Sequence, residues 1–373
     1  MSTTYVTQPQ LPPLEEFIPY LEAIWRNKWL TNAGPFHQQL ETALARYLGV
    51  GHVSLVANGT VALIIALQAL GLRGDVITTP FSFVATAHAL RWNGLNPVFA
   101  DIDPATCNLD PDAVEAAITP RTAAILPVHC FGHPCDTARL QDIADRHGIP
   151  VVYDAAHAFG VRQSGTSVLR HGALSTLSFH ATKVFNTFEG GAIVCPDEQT
   201  GERLSSLRNF GFTDETMVSA IGMNGKMSEV QAAFGLLQLD HLSSAIAARA
   251  RASKRYHEAL DGVEGLTLFD TPADVEPNHS YFPVLIGASF PVGREALLAR
   301  LATRGIFARR YFHPLISDMP AYRRFVGGQS STPAARRIAD QVLCLPLYPG
   351  LQQDSQDAVI DTILSALADR DAA

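Results

Sequence analysis

The sequence predicts an α/β fold: a large domain on a mostly parallel seven-stranded sheet flanked by helices, then a smaller C-terminal α+β domain. Three observations predict it. Seven short β-rich runs between residues 53 and 195 alternate with helical segments. After Cys195 the alternation gives way to a long stretch of helical periodicity. The 373 residues also exceed what one hydrophobic core organises, roughly 250–300, so a second lobe is expected.

In chain order, a Pro-rich arm leads into a helix at "PLEEFIPYLEAIWRNKW" and, past the loop "LTNAGP", a second at "HQQLETALARYLG". The strand runs are "VSLVA", "DVITTP", "PVFADI", "TAAILPVH", "IPVVYDA", "LSTLSFH" and "GGAIVC". Between most of them lie apolar patterns at helical spacing, such as "GTVALIIALQALGL", "DPDAVEAAI" and "DTARLQDIADRHG". Strand-helix alternation implies parallel strands with helices on both faces, and sites in such sheets form beyond the strand C-termini. "KMSEVQAAFGLLQLDHLSSAIAARARASKRYHEALDG" predicts one or two long helices, followed by a strand at "YFPVLI", a helix at "GREALLARLATRG" and a closing helix. The division is 1–250 for the large domain with its arm and 251–373 for the small one.

A hydrophobic fraction of 47% with 17% charged residues fits a core-rich globular chain. A net charge of −8 and a pI near 5.9 argue against nucleic acid as a partner, while leaving room for a local anion site. Five cysteines without CxxC spacing predict free buried thiols and no metal site. The start carries no signal-peptide pattern and no run reaches the ~20 apolar residues of a membrane span, so a cytoplasmic location is expected.

Three predicted strand ends carry chemistry. At "VANGTVAL" a strand stops, Asn58-Gly59-Thr60 turns and a helix begins, which offers N–H groups to an anion. At "VVYDAAHAFG" Asp154 ends an apolar strand, where a carboxylate is costly without a partner, and His157 follows three residues later. At "SFHATKVFNTFEGG" Ser178 precedes Lys183 by five residues, a spacing that presents hydroxyl and amine to one ligand; desolvation makes such a lysine nucleophilic. Each has an ordinary reading as turn, cap, core histidine or surface lysine. Together, in this order, they match the needs of pyridoxal 5'-phosphate (PLP): donors for the phosphate, an anion for the ring nitrogen, an amine for the aldehyde. Phe83, near the next strand end, would add an aromatic face.

The chain resembles the PLP-dependent nucleotide-sugar aminotransferases of the DegT/DnrJ/StrS group, within the fold type I superfamily. The likeness runs nearly end to end. It rests on "LTNAGPFHQQLETALARYLGV", "ANGTVALIIALQALGL", "VITTPFSFVATAHAL", "PVFADIDPATCNLDP", "YDAAHAFG", "SFHATKVFNTFEGGAIV", "MNGKMSEVQAAFGLLQL", "RRYFHPL" and "VLCLPLYPGL". It implies that Lys183 binds the cofactor covalently and then moves protons, that Asp154 pairs with the ring nitrogen, and that Ser178 with Gly59 and Thr60 holds the phosphate. His157 stands where most relatives carry Gln, near the cofactor's phenolic oxygen. Asn224 matches an Asn given to the phosphate site of a neighbouring subunit, which implies a homodimer with composite sites. Glu189 belongs to the family's "EGG" and is counted among the substrate residues, its particular role unassigned.

The implied reaction is ping-pong transamination, with L-glutamate as donor, pyridoxamine 5'-phosphate between the half-reactions, and a nucleotide-linked keto sugar as acceptor. The wording is closest to the branch aminating C4 of dTDP-4-dehydro-6-deoxy-D-glucose, whose product dTDP-4-amino-4,6-dideoxy-D-glucose serves surface polysaccharide such as O-antigen. A C3-aminating branch shares every motif. Thr31, Asn32 and His313 are expected to line the sugar, and Arg309 and Arg310 to meet a diphosphate or surface acids. Two other readings are a sugar dehydratase, in which the lysine is commonly His, and a non-catalytic regulator; the presence of Lys183 opposes the first, and the intact Lys183, Asp154 and Ser178 the second.

Overall fold

The structure, a computed structural model, describes residues 3–325 and 331–367. Seven strands form the main sheet: β1 His52–Val56, β2 Asp75–Thr78, β3 Asn96–Phe99, β4 Thr122–Leu126, β5 Val152–Asp154, β6 Leu174–Ser178 and β7 Gly191–Cys195. Their spatial order is β1-β7-β6-β5-β4-β2-β3, with β4 and β5 joined by the parallel bridges Ile125–Val151 and Val128–Asp154. Only β7 runs against its neighbours β1 and β6. An antiparallel partner needs no crossover helix. The loop from Phe179 to Gly190 therefore connects β6 directly to β7, and Lys183 rides on it at the C-terminal edge of the parallel strands.

The helix Gly59–Ala69 is apolar nearly all round, with Ala62, Leu63, Ile65, Ala66, Leu67 and Ala69 buried. That composition suits a helix enclosed on every side, here against β6 and β7. Its first residues are thereby fixed at the end of β1. The long helical stretch is one helix, Glu229–Leu260, started by a reciprocal cap between Ser228 and Gln231. Its first half packs on the helices Leu14–Asn27 and Pro35–Leu48. Its last turns place Ala252, Tyr256 and Leu260 in the C-terminal core with Phe282, Val284 and Leu297, so it crosses residue 250 without a break.

The C-terminal part holds an antiparallel sheet of Leu266–Leu268, Phe282–Ile286 and Val342–Leu345. The N-terminal arm pairs there too: Thr4–Tyr5 lies parallel to Ile306–Phe307. Two helices absent from the sequence reading, Glu198–Leu207 and Pro333–Gln341, have polar or broken apolar patterns. All five cysteines are buried and free. Among the described residues no helix is long and apolar enough to cross a membrane.

Candidate active site

The strand ends open into a cavity of about 710 Å³ lined by Gly59, Thr60, Asp154, His157, Ser178 and Lys183. At one end Asn58 caps the helix Gly59–Ala69, its Oδ1 accepting from the Val61 N–H at 2.9 Å. The N–H groups of Gly59 and Thr60 come too early for any helix carbonyl to reach, and they stay at the cavity wall. The approach is tight. A Cβ on Gly59 would lie 2.7 Å from Ser178 Cβ, and one on Gly191 would lie 2.8 Å from the Gly59 nitrogen. Two glycines thus let the helix start and Ser178 close on each other, leaving N–H and O–H groups to face an anion.

Asp154, at the end of β5, is 5% exposed. Thr86 Oγ1 donates to its Oδ2 at 2.8 Å and the Ala156 N–H to its Oδ1 at 3.1 Å. Burial raises its pKa above the usual carboxylate value, against those two bonds and the positive charge of Lys183. The carboxylate retains accepting capacity toward the cavity. A protonated ring nitrogen would supply what it lacks.

Lys183 Nζ donates to Tyr281 Oη at 3.2 Å. Desolvation pulls its pKa down to about 8, with Asp154 and Tyr311 acting in the opposite direction. Near neutrality a usable fraction is therefore the free amine.

His157 is 5% exposed and its Nδ1 accepts the Phe131 N–H at 3.2 Å. Burial, then the charge of Lys183, holds it well below the ordinary imidazole pKa. A neutral ring that accepts at Nδ1 carries its proton on Nε2, so His157 is a hydrogen-bond donor. Phe312 lies parallel to this ring, 5.8 Å between centroids and 2° between planes.

Of the other expected residues, Phe83 lines the cavity while remaining 61% exposed, and Glu189 lines it with Oε1 3.7 Å from His180 Nε2. His313 lies in an adjoining groove of about 580 Å³ with Arg309 and Arg310, which shares Phe83, Tyr311 and Phe312 with the main cavity. Thr31, Asn32 and Asn224 are exposed and do not line this cavity. Thr86 and Tyr281 were missed. A threonine in "VATAHAL" and a tyrosine opening an apolar strand carry no signal of their own; only "NHSY", a polar run set against "FPVLI", marks the second. Among the described residues no group of three His, Cys, Asp or Glu side chains is placed to hold a metal ion.

A turn that only donates, a carboxylate that only accepts, and an amine about half neutral near pH 8 share one cavity on this topology. These are complementary to a phosphorylated pyridine aldehyde, and fold and site define a PLP-dependent transferase of fold type I. The assignment narrows with the sequence profile of the DegT/DnrJ/EryC1/StrS aminotransferase family, which matches residues 14–364; the chain belongs to this family. It is 55% identical to a dTDP-4-amino-4,6-dideoxy-D-glucose transaminase of Shigella dysenteriae, over 96% of this chain and 98% of that one. An Escherichia coli enzyme of the same name is 51% identical, over 94% and 95%. Among solved structures, DesI in the presence of its TDP-sugar product superposes with a TM-score of 0.94 at 38% identity, covering 100% of this chain and 95% of that one.

Proposed function

We propose that the protein transfers an amino group from L-glutamate to C4 of dTDP-4-dehydro-6-deoxy-D-glucose, giving dTDP-4-amino-4,6-dideoxy-D-glucose and 2-oxoglutarate. The observation that carries this is identity above half, over nearly full length, to two transaminases named for that product. A dTDP-3-amino-3,4,6-trideoxy-α-D-glucose transaminase of Streptomyces venezuelae stands further off, at 35%.

When bound, the cofactor supplies an electron-accepting ring that makes the C–H beside a transferred nitrogen acidic. Asp154 would keep a proton on the ring nitrogen, and Ser178, Thr60 and the two N–H groups at Gly59 and Thr60 would anchor the phosphate. His157 would donate from Nε2 to the ring's oxygen substituent. Lys183 Nζ would move the proton at the donor's α-carbon in one half-reaction and at the sugar carbon that receives nitrogen in the other, a task one mobile amine can serve in both directions.

The adjoining groove suits the nucleotide end of the substrate. Arg310 is already paired with Glu295 at 3.1 Å, whereas Arg309 is an exposed cation in the same groove. Arg309 is therefore the candidate for the diphosphate, and His313 for a sugar or phosphate oxygen. A homodimer completes the site. Thr31, Asn32 and Asn224 are exposed outside their own chain's cavity and would line the partner's across a subunit contact, and Trp92, 78% exposed on the cavity wall, is an apolar surface that a second copy would cover.

Incubation with L-glutamate and dTDP-4-dehydro-6-deoxy-D-glucose, with the new amine located by NMR, tests the reading. Nitrogen on C3, or no aminated sugar, would reject it.

A further inference from the structure

A segment of the C-terminal part reaches across to the catalytic lysine. Asn278 Nδ2 donates to the carbonyls of His157 and Phe159, both at 2.9 Å, and Ser280 Oγ donates to His157 O at 2.9 Å. Gly132 makes room: with φ 89°, a Cβ there would sit 3.0 Å from Asn278 Oδ1 and from His157 O. From the other side Arg249, 2% exposed on the long helix, donates to the carbonyls of His279, Ser280 and Leu347 at 3.4, 3.3 and 3.0 Å. Both flanks of the turn before Tyr281 are thus tied down, one to each core. Three rings then enclose the tyrosine edge-on: His157 at 4.9 Å, Phe131 at 5.7 Å and Tyr311 at 5.8 Å between centroids.

We propose that Tyr281 is a positioning residue for the aminotransfer, holding the Lys183 amine by a hydrogen bond to its phenol whenever that amine is not bonded to the cofactor. The inference rests on the proposed function for its setting and its kinetic readout, while its acylation readout does not depend on that function. Between half-reactions the released amine must wait within reach of the reacting carbon. A long, desolvated side chain without a partner would sample several rotamers and lose that alignment. The phenol supplies one fixed partner, and burial pushes its own pKa far above neutrality, so it stays an uncharged O–H. A phenolate there would trap the lysine as a cation. The other titratable groups acting on this pair are Asp154 and Tyr311 on the lysine, with Arg249 and the buried thiols of Cys130 and Cys344 on the phenol.

The phenol oxygen accepts from the charged ammonium, so its removal disfavours the charged form and lowers the lysine pKa. The test is Tyr281→Phe in the full chain. Without cofactor, acylation of Lys183 by acetic anhydride is followed against pH by peptide mass spectrometry. The wild-type midpoint is expected near 8. In the variant it should fall by about one pH unit, other lysines being unchanged. With cofactor loaded, kcat should fall on the order of tenfold while KM for glutamate changes less than about threefold. An unchanged acylation midpoint, or turnover within about twofold of wild type, overturns the proposal. If Tyr281→Phe is not recovered folded, Asn278→Ala decides. It should move the midpoint in the same direction by a smaller amount, and a wild-type midpoint there refutes the role. Absence of sugar amination by the wild-type protein would sink the proposed function while leaving the acylation result standing.

Discussion

Two buried carboxylates occupy opposite situations in this molecule. Glu229, 1% exposed at the start of the long helix, accepts the N–H groups of Phe36 and His37, each at 2.9 Å. Its two oxygens serve the N-terminus of the helix Pro35–Leu48, and Gly34 passes so close that a Cβ would lie 2.6 Å from its side chain. Asp154 is nearly as buried, yet it holds two ordinary donors and borders a large cavity. The first is satisfied by the fold. The second accepts two donors as well but also faces a cavity in which a ligand can add another, and burial raises its pKa. Burial of an acid therefore says little about function; whether it faces a helix end or a cavity says more.

The contrast can be broken or sharpened by substitution. The largest effect belongs to the cavity: Lys183→Ala should cut turnover by at least about 10³-fold with the far-UV spectrum unchanged, measured in a coupled glutamate assay. Asp154→Asn should lose about 10²-fold in kcat. Its stability should move the other way. Because folding raises the pKa of Asp154, the wild-type apoprotein loses stability as pH rises from the unfolded value through the raised one, and the amide does not. Apo Asp154→Asn should therefore melt higher than wild type at pH 7 and converge with it in acid. Glu229→Ala should show the converse, a stability loss of about 1–3 kcal/mol in urea titration from stranding two helix N–H groups, with the glutamate half-reaction retained. A Glu229→Ala protein as stable as wild type would erase the distinction. The smallest effect is expected of His157→Gln, within about fivefold of wild-type kcat, because both side chains donate to the same place. Since His157 titrates well below neutrality, kcat should show no step between pH 6 and 7 that this substitution removes.

The parts of this site legible in sequence share a cause. Gly59, Asp154, Ser178 and Lys183 each follow an apolar β run, so strand prediction alone places them at one edge of a sheet. The sheet order was not legible, since nothing local to "GGAIVC" tells that this strand is antiparallel and inserts between β1 and β6. Nor were Thr86, Asn278 and Tyr281, whose importance depends on which backbone they meet after folding. The expectation of one or two long helices between "KMSEVQ" and "ALDG" resolves into one because "SSAIAARARASKR" keeps alanine and long side chains in phase, with no glycine or proline to break it.

That unbroken helix has a consequence for how the protein can move. Its 32 residues run from the joint at Glu229, on the cofactor side, to Leu260 inside the other core, with Arg249 gripping the Tyr281 turn along the way. A continuous rod of this length resists bending, so the two lobes share a common strut. Any swing of one lobe over a substrate must pivot about this rod rather than within it, and the tyrosine's reach to the lysine should vary least of all the distances across the cleft.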